Sequence, residues 1–524
     1  MDPFLYVLYT VLLFKAFEKV GGGVWVRLWG GEMAMVGHGA VVDDTTLLRP
    51  TATDLQKALP GISAAIKKVN GRLNTAKTDY IAYKPTREGP VVCREPVVLE
   101  GKIVRPASRN GYVKLIGGNV NILAHPQKDL QEVRRHTARL FPKLKAHPPG
   151  VTLLRIILDG CVTMRWVFRK IVDWPQDLLG GGGRKGETAQ VTGAPARLAR
   201  STLNLPIKAP WIFLFGAQEG GGLGIPWPAE KVWSRGVGEL LQAAHSPHRA
   251  TRLTTLRQIQ EAWLAPQTHE FIPGKLSDYG QFARWVRAVG WDMTVFTGEG
   301  DGWSITLPPF ETACDTLLVV ADTSTNGTQH VWGLGGVVAT TAGEVLATVR
   351  ARVRAKWAST TLLEATGVVE LISATRRALV AMGSGEVGVW PWCDNKAAAE
   401  LLNSRQVLSP PYVFLTTVKA TAEIEYGHKP YTVGWGPAQH DTQSKSILAG
   451  VNKKADAEAQ RAFAGDDTTE WSVPGSWVDG PTIILRDDEH VVINTKQAVK
   501  QKFVWHAVRG GGWGKNYPTS SGKG

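Results

Sequence analysis

Two carboxylates in this sequence stand where chemistry is possible. Leu317-Leu318-Val319-Val320-Ala321 runs directly into Asp322, and Gly388-Val389-Trp390-Pro391-Trp392-Cys393 runs into Asp394. An acid ending an apolar strand is exposed at the C-terminal edge of its sheet, where open α/β sheets place their sites. Carboxylates converging at such an edge repel one another unless a cation sits among them. A hard divalent ion such as Mg²⁺, which takes oxygen ligands and keeps several waters, suits that arrangement.

The elements that must position these acids run from about Thr316 to Ala459. Three strands come first: 317–324, then 331–338 after the polar turn Thr325-Asn326-Gly327-Thr328, then 344–349. Apolar and β-branched residues between turn signals carry that reading. A helix-period stretch follows from Thr361 to about Met382, then the strand ending at Asp394 and a helix opening at Asn395-Lys396. The fifth strand is Tyr431-Thr432-Val433-Gly434-Trp435, and a polar loop holding His440 leads to a last helix with Asn452 and Asp456. The order is β-β-β-α-β-α-β-α.

This stretch resembles the type 1 ribonuclease H domain. The matching residues are Asp322 in Ala-Asp-Thr-Ser, Glu364 in Leu-Leu-Glu-Ala, Asp394 in Cys-Asp-Asn and Asp456 in Asn-Lys-Lys-Ala-Asp, with His440 as a looser match to the loop histidine. The resemblance implies a mixed five-stranded sheet with flanking helices over 313–466. It also implies two Mg²⁺ ions, with Mn²⁺ as an alternative, held by Asp322, Glu364, Asp394 and Asp456. The reaction implied is hydrolysis of the RNA strand of an RNA–DNA hybrid. His440 either assists that chemistry or is a plain loop residue. Ser324, Asn326, Asn395 and Lys396 are the expected nucleic-acid contacts. Binding through phosphates and 2′-hydroxyls implies little base specificity and a steep salt dependence.

Each acid also has a bland reading. Thr361 with Glu364 makes a T-x-x-E capping box. Asp394 could cap the helix beginning at Asn395. Asp456 could complement a helix dipole from the first turn, and Asp322 could be a turn residue. Helical phase selects the glutamate: Glu364 shares a stripe with Val368, Leu371 and Leu379. Glu370 lies about 120° round the helix and is expected in solvent.

The chain of 524 residues allows two to four domains. Its formal charge of +14 favours a polyanionic partner. Cys93, Cys161, Cys314 and Cys393 are scattered, with no C-x-x-C. That spacing argues against a zinc site or a disulfide framework and for a reducing compartment. An intracellular protein, cytoplasmic or nuclear, is expected. The apolar run 3–14 lacks a basic flank and a cleavage site and is too short to span a bilayer, so it reads as a buried helix rather than a signal or anchor.

Residues 1–145 hold a second acidic pair. Val41-Val42-Asp43-Asp44 lies between two apolar runs and reads as a hairpin with carboxylates at its tip; a weak helical pattern, broken at Pro60-Gly61, follows. With Leu73-Asn74-x-x-Lys77-Thr78 and the Tyr112–Gly117 turn, this segment resembles the second half of a reverse transcriptase palm of the non-LTR retrotransposon kind. Asp43, Asp44 and Lys77 would be its remnant polymerase site. The family's upstream acid has no counterpart here, and Val41 and Val42 replace its aromatic-Ala pair. The fold class expected for the whole chain is therefore α/β multidomain. A partial palm (α+β) with the start of a thumb occupies 1–145. A mostly helical thumb or connection occupies 146–300, and the ribonuclease H domain 313–466. A tail, 467–524, is partly disordered, with a possible hairpin at 482–485 and 491–493.

Arg134, Arg135, Arg139, Lys143 and Lys145 lie on or just beyond a helical stretch. They read either as a solvated face or as phosphate contacts. Gly180–Gly186 does not meet the phosphate-loop pattern. Three functional readings follow. The first is an RNA–DNA hybrid ribonuclease. The others are a silent remnant that only binds nucleic acid and an RNA-dependent DNA polymerase using Asp43 and Asp44. No membrane partner is implied, and the oligomeric state is left open.

Overall fold

The protein was analysed as a computed structural model. It describes residues 15–498 except 16, 42–43, 69–70, 87–88, 109–110, 116–117, 121–126, 164–186, 217, 219–220, 247, 265–279, 281, 284–285, 288, 310–314, 326–329, 405–413, 415–416, 419–420, 423–431, 437–446 and 495–496. The chain divides into two compact units, one of residues 1–236, 257–283 and 506–524, the other of 237–256 and 284–505.

Among the described residues, the first unit contains five separate two-stranded hairpins. They are β1 (Val24–Arg27) with β2 (Met33–Val36), β3 (His38–Val41) with β4 (Asp44–Leu47), β5 (Tyr83–Thr86) with β6 (Gly89–Val92), β7 (Val97–Leu99) with β8 (Lys102–Val104), and β9 (Val113–Leu115) with β10 (Gly118–Val120). The β3–β4 hairpin pairs Val41 with Asp44, so Asp44 opens a strand. Asp43 lies outside the described residues. The helix Ala52–Lys68 runs unbroken through Pro60, against the break expected there, and buries Ala58, Leu59 and Ile62. Ile62 packs against Phe17, and Leu59 against Val97 and Leu99. Apolar burial at helical spacing thus outweighs the local cost of one proline. Further helices lie at Gln127–Ala146, Val151–Ile157, Glu187–Thr202 and Trp211–Phe215. Among the described residues, no helix is long and apolar enough to cross a membrane.

The second unit is built on one mixed sheet. Its strands are β11 (Asp292–Phe296), β12 (Thr316–Ser324), β13 (Val331–Thr340), β14 (Val345–Lys356), β15 (Gly388–Cys393), β16 (Gly434–Trp435), β17 (Thr469–Trp471), β18 (Thr482–Asp487) and β19 (His490–Val492). The order is β11-β18-β19-β14-β13-β12-β15-β16, with β17 also on β14. β12, β13 and β14 form an antiparallel meander, and β15 and β16 add parallel to β12.

The five strands expected within 313–466 are β12 to β16, and among the described residues β11, β17, β18 and β19, from outside that range, extend the sheet to nine. β14 is longer than its sequence pattern suggested, and its far end pairs with β17 and β19. Charges alternate along it: Arg350, Arg352, Arg354 and Lys356. They face Glu458, Glu470, Glu489 and Asp487 in ion pairs. A strand whose polar face is neutralised in this way can stay inside a sheet. Residues 482–492, read as a possible hairpin in a tail, do form a hairpin, and it belongs to the sheet.

Both faces of the sheet are covered. Leu317, Val319 and Ala321 join the larger core with the central helix, Thr360–Ala381. Leu318 and Val320 join a second core with Val337, Trp392, Val451 and Ala455. Burial on both faces explains why β12 is continuously apolar rather than alternating.

The central helix corrects one expectation. Glu370 is buried, not solvated, and it accepts the Ser476 backbone N–H. The helix face opposite the sheet is covered by residues 471–478. There the Trp477 indole N–H donates to Thr366 Oγ1 at 2.8 Å. Asp301 holds the same segment by accepting the Ser472 and Val473 N–H groups. Over 362–375 the helix is buried on all sides and carries no solvent stripe, so its phase cannot assign an exposed face there.

Trp477 is fully buried against Phe414, with ring centroids 5.0 Å apart. Trp477→Ala is expected to cost about 3–5 kcal/mol in a urea titration followed by circular dichroism. A loss below about 1 kcal/mol would mean that the segment is not part of this core.

Candidate metal centre

Four carboxylates meet at the C-terminal edge of β12 and β15. Asp322 is the seventh residue of β12 and is 8% exposed. Val320 pairs with Trp392 across the parallel strands, so two residues on Asp322 stands level with Asp394. Glu364 enters from the first turns of the central helix and is 4% exposed. Asp456 comes from the helix Ile447–Ala464 on the other face.

Two glycines make this convergence possible. A Cβ on Gly335 would lie 2.2 Å from the Ala459 nitrogen and 2.4 Å from the Ala455 oxygen. A Cβ on Gly333 would lie 2.2 Å from the Ala459 oxygen. The backbone of the helix therefore rests on bare strand β13. Gly335 pairs with Asp322, so the same contact sets Asp456 beside Asp322. Close backbone approach is what a strand glycine provides.

The bland readings of the acids fail one by one. Ser359, not the Thr361–Glu364 box, caps the central helix, its hydroxyl accepting the Leu362 N–H at 3.2 Å. Asn395, not Asp394, caps the helix Lys396–Asn403, accepting the Ala398 N–H at 3.1 Å. Asp456 lies nine residues beyond Ile447, outside the first turn. Asp322 is within a strand rather than in a turn. None of the four acids caps a helix or shapes a turn; Asp456 accepts from Gln460 Nε2 one helical turn on, at 3.0 and 3.1 Å.

Electrostatics confirm their proximity. Burial first, then Asp394 and Glu364, push the Asp322 carboxyl up to about 8, with a smaller push from Asp456. Burial, then Asp394, push Glu364 up to about 7. Asp394 is also raised, chiefly by burial. Repulsion among desolvated carboxylates is what a cation relieves.

Polar neighbours aim the acids. Asp322 Oδ1 accepts the Thr323 N–H at 2.6 Å. The Cys393 thiol donates to Glu364 Oε2 at 3.3 Å. Ligand atoms of Glu364, Cys393 and Asp394 lie within 4.8 Å of one another. Burial and Glu364 hold the thiol protonated, so Cys393 acts as a hydrogen-bond donor rather than a thiolate ligand. Asn452 Nδ2 donates to Asp394 Oδ2 at 3.2 Å, and its buried Oδ1 has no hydrogen-bond partner among the described residues. An oxygen-rich set with one orphaned buried carbonyl fits a hard divalent cation.

Asn452 was given no role from sequence. Its spacing of four from Asp456, which puts both on one helix face, is the signal that could have found it. Trp435 is a second unassigned neighbour. Its indole N–H donates to the Asp394 carbonyl at 3.0 Å, and Lys396 Nζ sits 5.4 Å from its ring centroid.

The other sequence candidates divide. Ser324 ends β12, half-buried, and Lys396 is exposed beside the acids. Asn395 spends its carbonyl on the cap. His440 and Asn326 lie outside the described residues. Lys77 is exposed in a turn, its N–H donating to the Asn74 carbonyl at 3.0 Å.

No family model matches this sequence, and no curated protein matches it. Similar solved structures cover little more than a quarter of the chain. The crystal structure of RNase H1 from the halophilic archaeon Halobacterium salinarum NRC-1 is 16% identical, with a TM-score of 0.22, covering 29% of this chain and 98% of that one. The N-terminal RNase H domain of a Mycobacterium tuberculosis protein, solved as a maltose-binding-protein fusion, is 22% identical, with a TM-score of 0.21 and coverages of 28% and 98%. LC11-RNase H1 in complex with an RNA/DNA hybrid is 15% identical, with a TM-score of 0.21 and coverages of 29% and 99%.

Two predictions follow from the packing and the charge. Gly335→Ala is expected to cost about 1–3 kcal/mol or more and to weaken divalent-ion binding, read as a reduced Mg²⁺-induced rise in melting temperature. An unchanged Mg²⁺ response would separate the glycine contact from the site. The pH dependence has a definite sign. Asp322 and Glu364 bind protons more tightly folded, at about 8 and about 7, than unfolded, where carboxyls titrate near about 4. Their contribution is complete below about pH 4 and is lost as pH rises through those folded values. The metal-free protein should thus melt at lower temperature at pH 8 than at pH 5, and Asp322→Asn should flatten that decline. A melting temperature that rises over this range would contradict the assignment.

Proposed function

We propose that the chain is a divalent-metal-dependent ribonuclease that hydrolyses the RNA strand of an RNA–DNA hybrid. One observation carries this reading. Four acids, on the first strand, the central helix, the end of the fourth strand of the β-β-β-α-β order and the last helix, converge without capping a helix or shaping a turn. That is the order in which the ribonuclease H resemblance requires them.

In this reading Asp322, Glu364, Asp394 and Asp456 hold Mg²⁺, or Mn²⁺ in its place. When bound, the ions would supply a water acidic enough to ionise near neutral pH and positive charge beside the departing oxygen. The chain's own residues do the positioning. Thr323 N–H orients Asp322, the Cys393 thiol orients Glu364, and Asn452 orients Asp394. Ser324 and Lys396 at the rim suit contacts with phosphates and 2′-hydroxyls. The reverse-transcriptase reading of the first 300 residues rests on its motif resemblance alone.

The test is cleavage of an end-labelled RNA–DNA hybrid by the full chain in Mg²⁺. The parent should cut the RNA strand. Asp394→Asn should lose activity by roughly 10²-fold or more, and Asn452→Ala by roughly 10–100-fold as an orienting neighbour. A folded parent that binds hybrid and does not cut it would leave a nucleic-acid-binding protein without this chemistry.

A further inference from the structure

We propose that the helix Gln127–Ala146 carries a second nucleic-acid-binding surface, a stripe of three cations that follows a phosphate backbone. Arg135, Arg139 and Lys143 are exposed at i, i+4 and i+8. At 100° per residue they stay within an arc of about 80°, and at 1.5 Å per residue they span about 12 Å. Thr137 and Leu144, which fall about 180–200° from Arg135 on that same wheel, are buried. The helix is therefore anchored by one side and turns the cations to solvent.

Two simpler explanations compete with this one. The first is a solvated face. Some helix cations elsewhere in this chain take an acid one turn away, Arg257 with Glu261 at 2.6 Å, Lys396 with Glu400 at 3.7 Å and Arg461 with Glu458 at 3.1 Å, and others, such as Lys57 and the neighbours Lys453 and Lys454, do not; none of those unpaired ones forms a stripe of three at i,i+4 spacing. Among the described residues, Arg135, Arg139 and Lys143 are in none of the ion pairs. Three like charges at i,i+4 spacing repel one another, and an external anion relieves that repulsion. The second is complementarity to the helix dipole, which acts only within the last turn. It accounts for Lys143 and leaves Arg135 and Arg139 unexplained.

The spacing and the absence of an apolar face select the partner. A strand of duplex nucleic acid advances 3.4 Å per phosphate, so a stripe of about 12 Å lies along three to four nucleotides. A helix that lies on a membrane needs an apolar face free to enter the lipid. Here Phe141 is the one large apolar side chain exposed on the helix among the described residues. The identity of the polyanion as an RNA–DNA hybrid rests on the function proposed above; the surface itself does not.

The test is fluorescence anisotropy of the full chain with a labelled hybrid duplex in EDTA, so that binding is read without cleavage. The salt series runs from about 50 to about 300 mM, and Arg135→Gln/Arg139→Gln/Lys143→Gln is measured beside the parent. Each lost phosphate contact should flatten the slope of log affinity against log salt by about 0.9, so the triple variant should lose about 2.7 and bind about tenfold more weakly at moderate salt. Its melting temperature should match the parent's. Arg139→Gln alone should flatten the slope by about 0.9 and decides the matter if the triple variant does not fold. An unchanged slope, or a loss confined to phosphatidylserine vesicles, would overturn the proposal. A parent that shows the steep slope and does not cleave hybrid would sink the ribonuclease reading and leave this surface standing. A parent that cleaves, with no slope change in the variant, would do the reverse.

Discussion

The contact on which the second unit depends is backbone on backbone. The helix Ile447–Ala464 lies so close to β13 that a single carbon on Gly333 or Gly335 would overlap its main chain. Two consequences follow from that one approach. It closes the smaller core, because Val451 and Ala455 reach Leu318, Val320 and Val337. It also delivers Asn452 and Asp456 to the edge where Asp322 and Asp394 end their strands. Protein interiors are packed too tightly to absorb an extra carbon there without displacing the helix. Stability and site geometry therefore rest on the same two missing side chains.

The acid cluster works against the fold that holds it. Asp322 and Glu364 are nearly buried; burial and Asp394 raise the pKa of both, and Glu364 raises that of Asp322 further, which is a cost whenever they are ionised. Rigid elements hold them in place: two paired strands, a long buried helix and the covering helix. Hydrogen bonds from Thr323, Cys393 and Asn452 fix individual oxygens. Such strain is tolerated where charge is to be received from outside, and it is concentrated at functional sites. The structure spends its local polar groups consistently with that. Ser359 and Asn395 take the capping work, so the adjacent acids keep their lone pairs.

Around the five strands anticipated from sequence, the chain adds a second tier. β11, β18, β19 and β17 extend the sheet past β14, and residues 471–478 close over the central helix. Glu370 and Asp301 are carboxylates of a different kind from the four at the edge. Each accepts backbone N–H groups of the covering segment and so serves the fold. Chemically identical side chains in one unit thus divide by partner. Glu370 and Asp301 tie the covering segment down through its backbone amides, whereas the four at the edge face one another.

How much of this was legible in advance is clear from particular residues. The choice of Asp322, Glu364, Asp394 and Asp456 as a set comes from the ribonuclease H resemblance; the strand and helix order between 316 and 464 follows from apolar periodicity and turn residues, which are local properties of the chain. The hairpin at 482–492 is legible for the same reason. Its membership of the sheet is not, because strand pairing between distant segments leaves no local mark. Glu370 looked solvent-facing because helical phase assumes one wet side, and only the fold shows a second layer there. The role of Asn452 needed the distance to Asp394, and the meaning of Gly333 and Gly335 needed the helix above them. The sequence by itself determined which residues could do chemistry and on which elements they ride. Tertiary structure alone decided which of them meet, because burial and repulsion depend on neighbours that are remote along the chain.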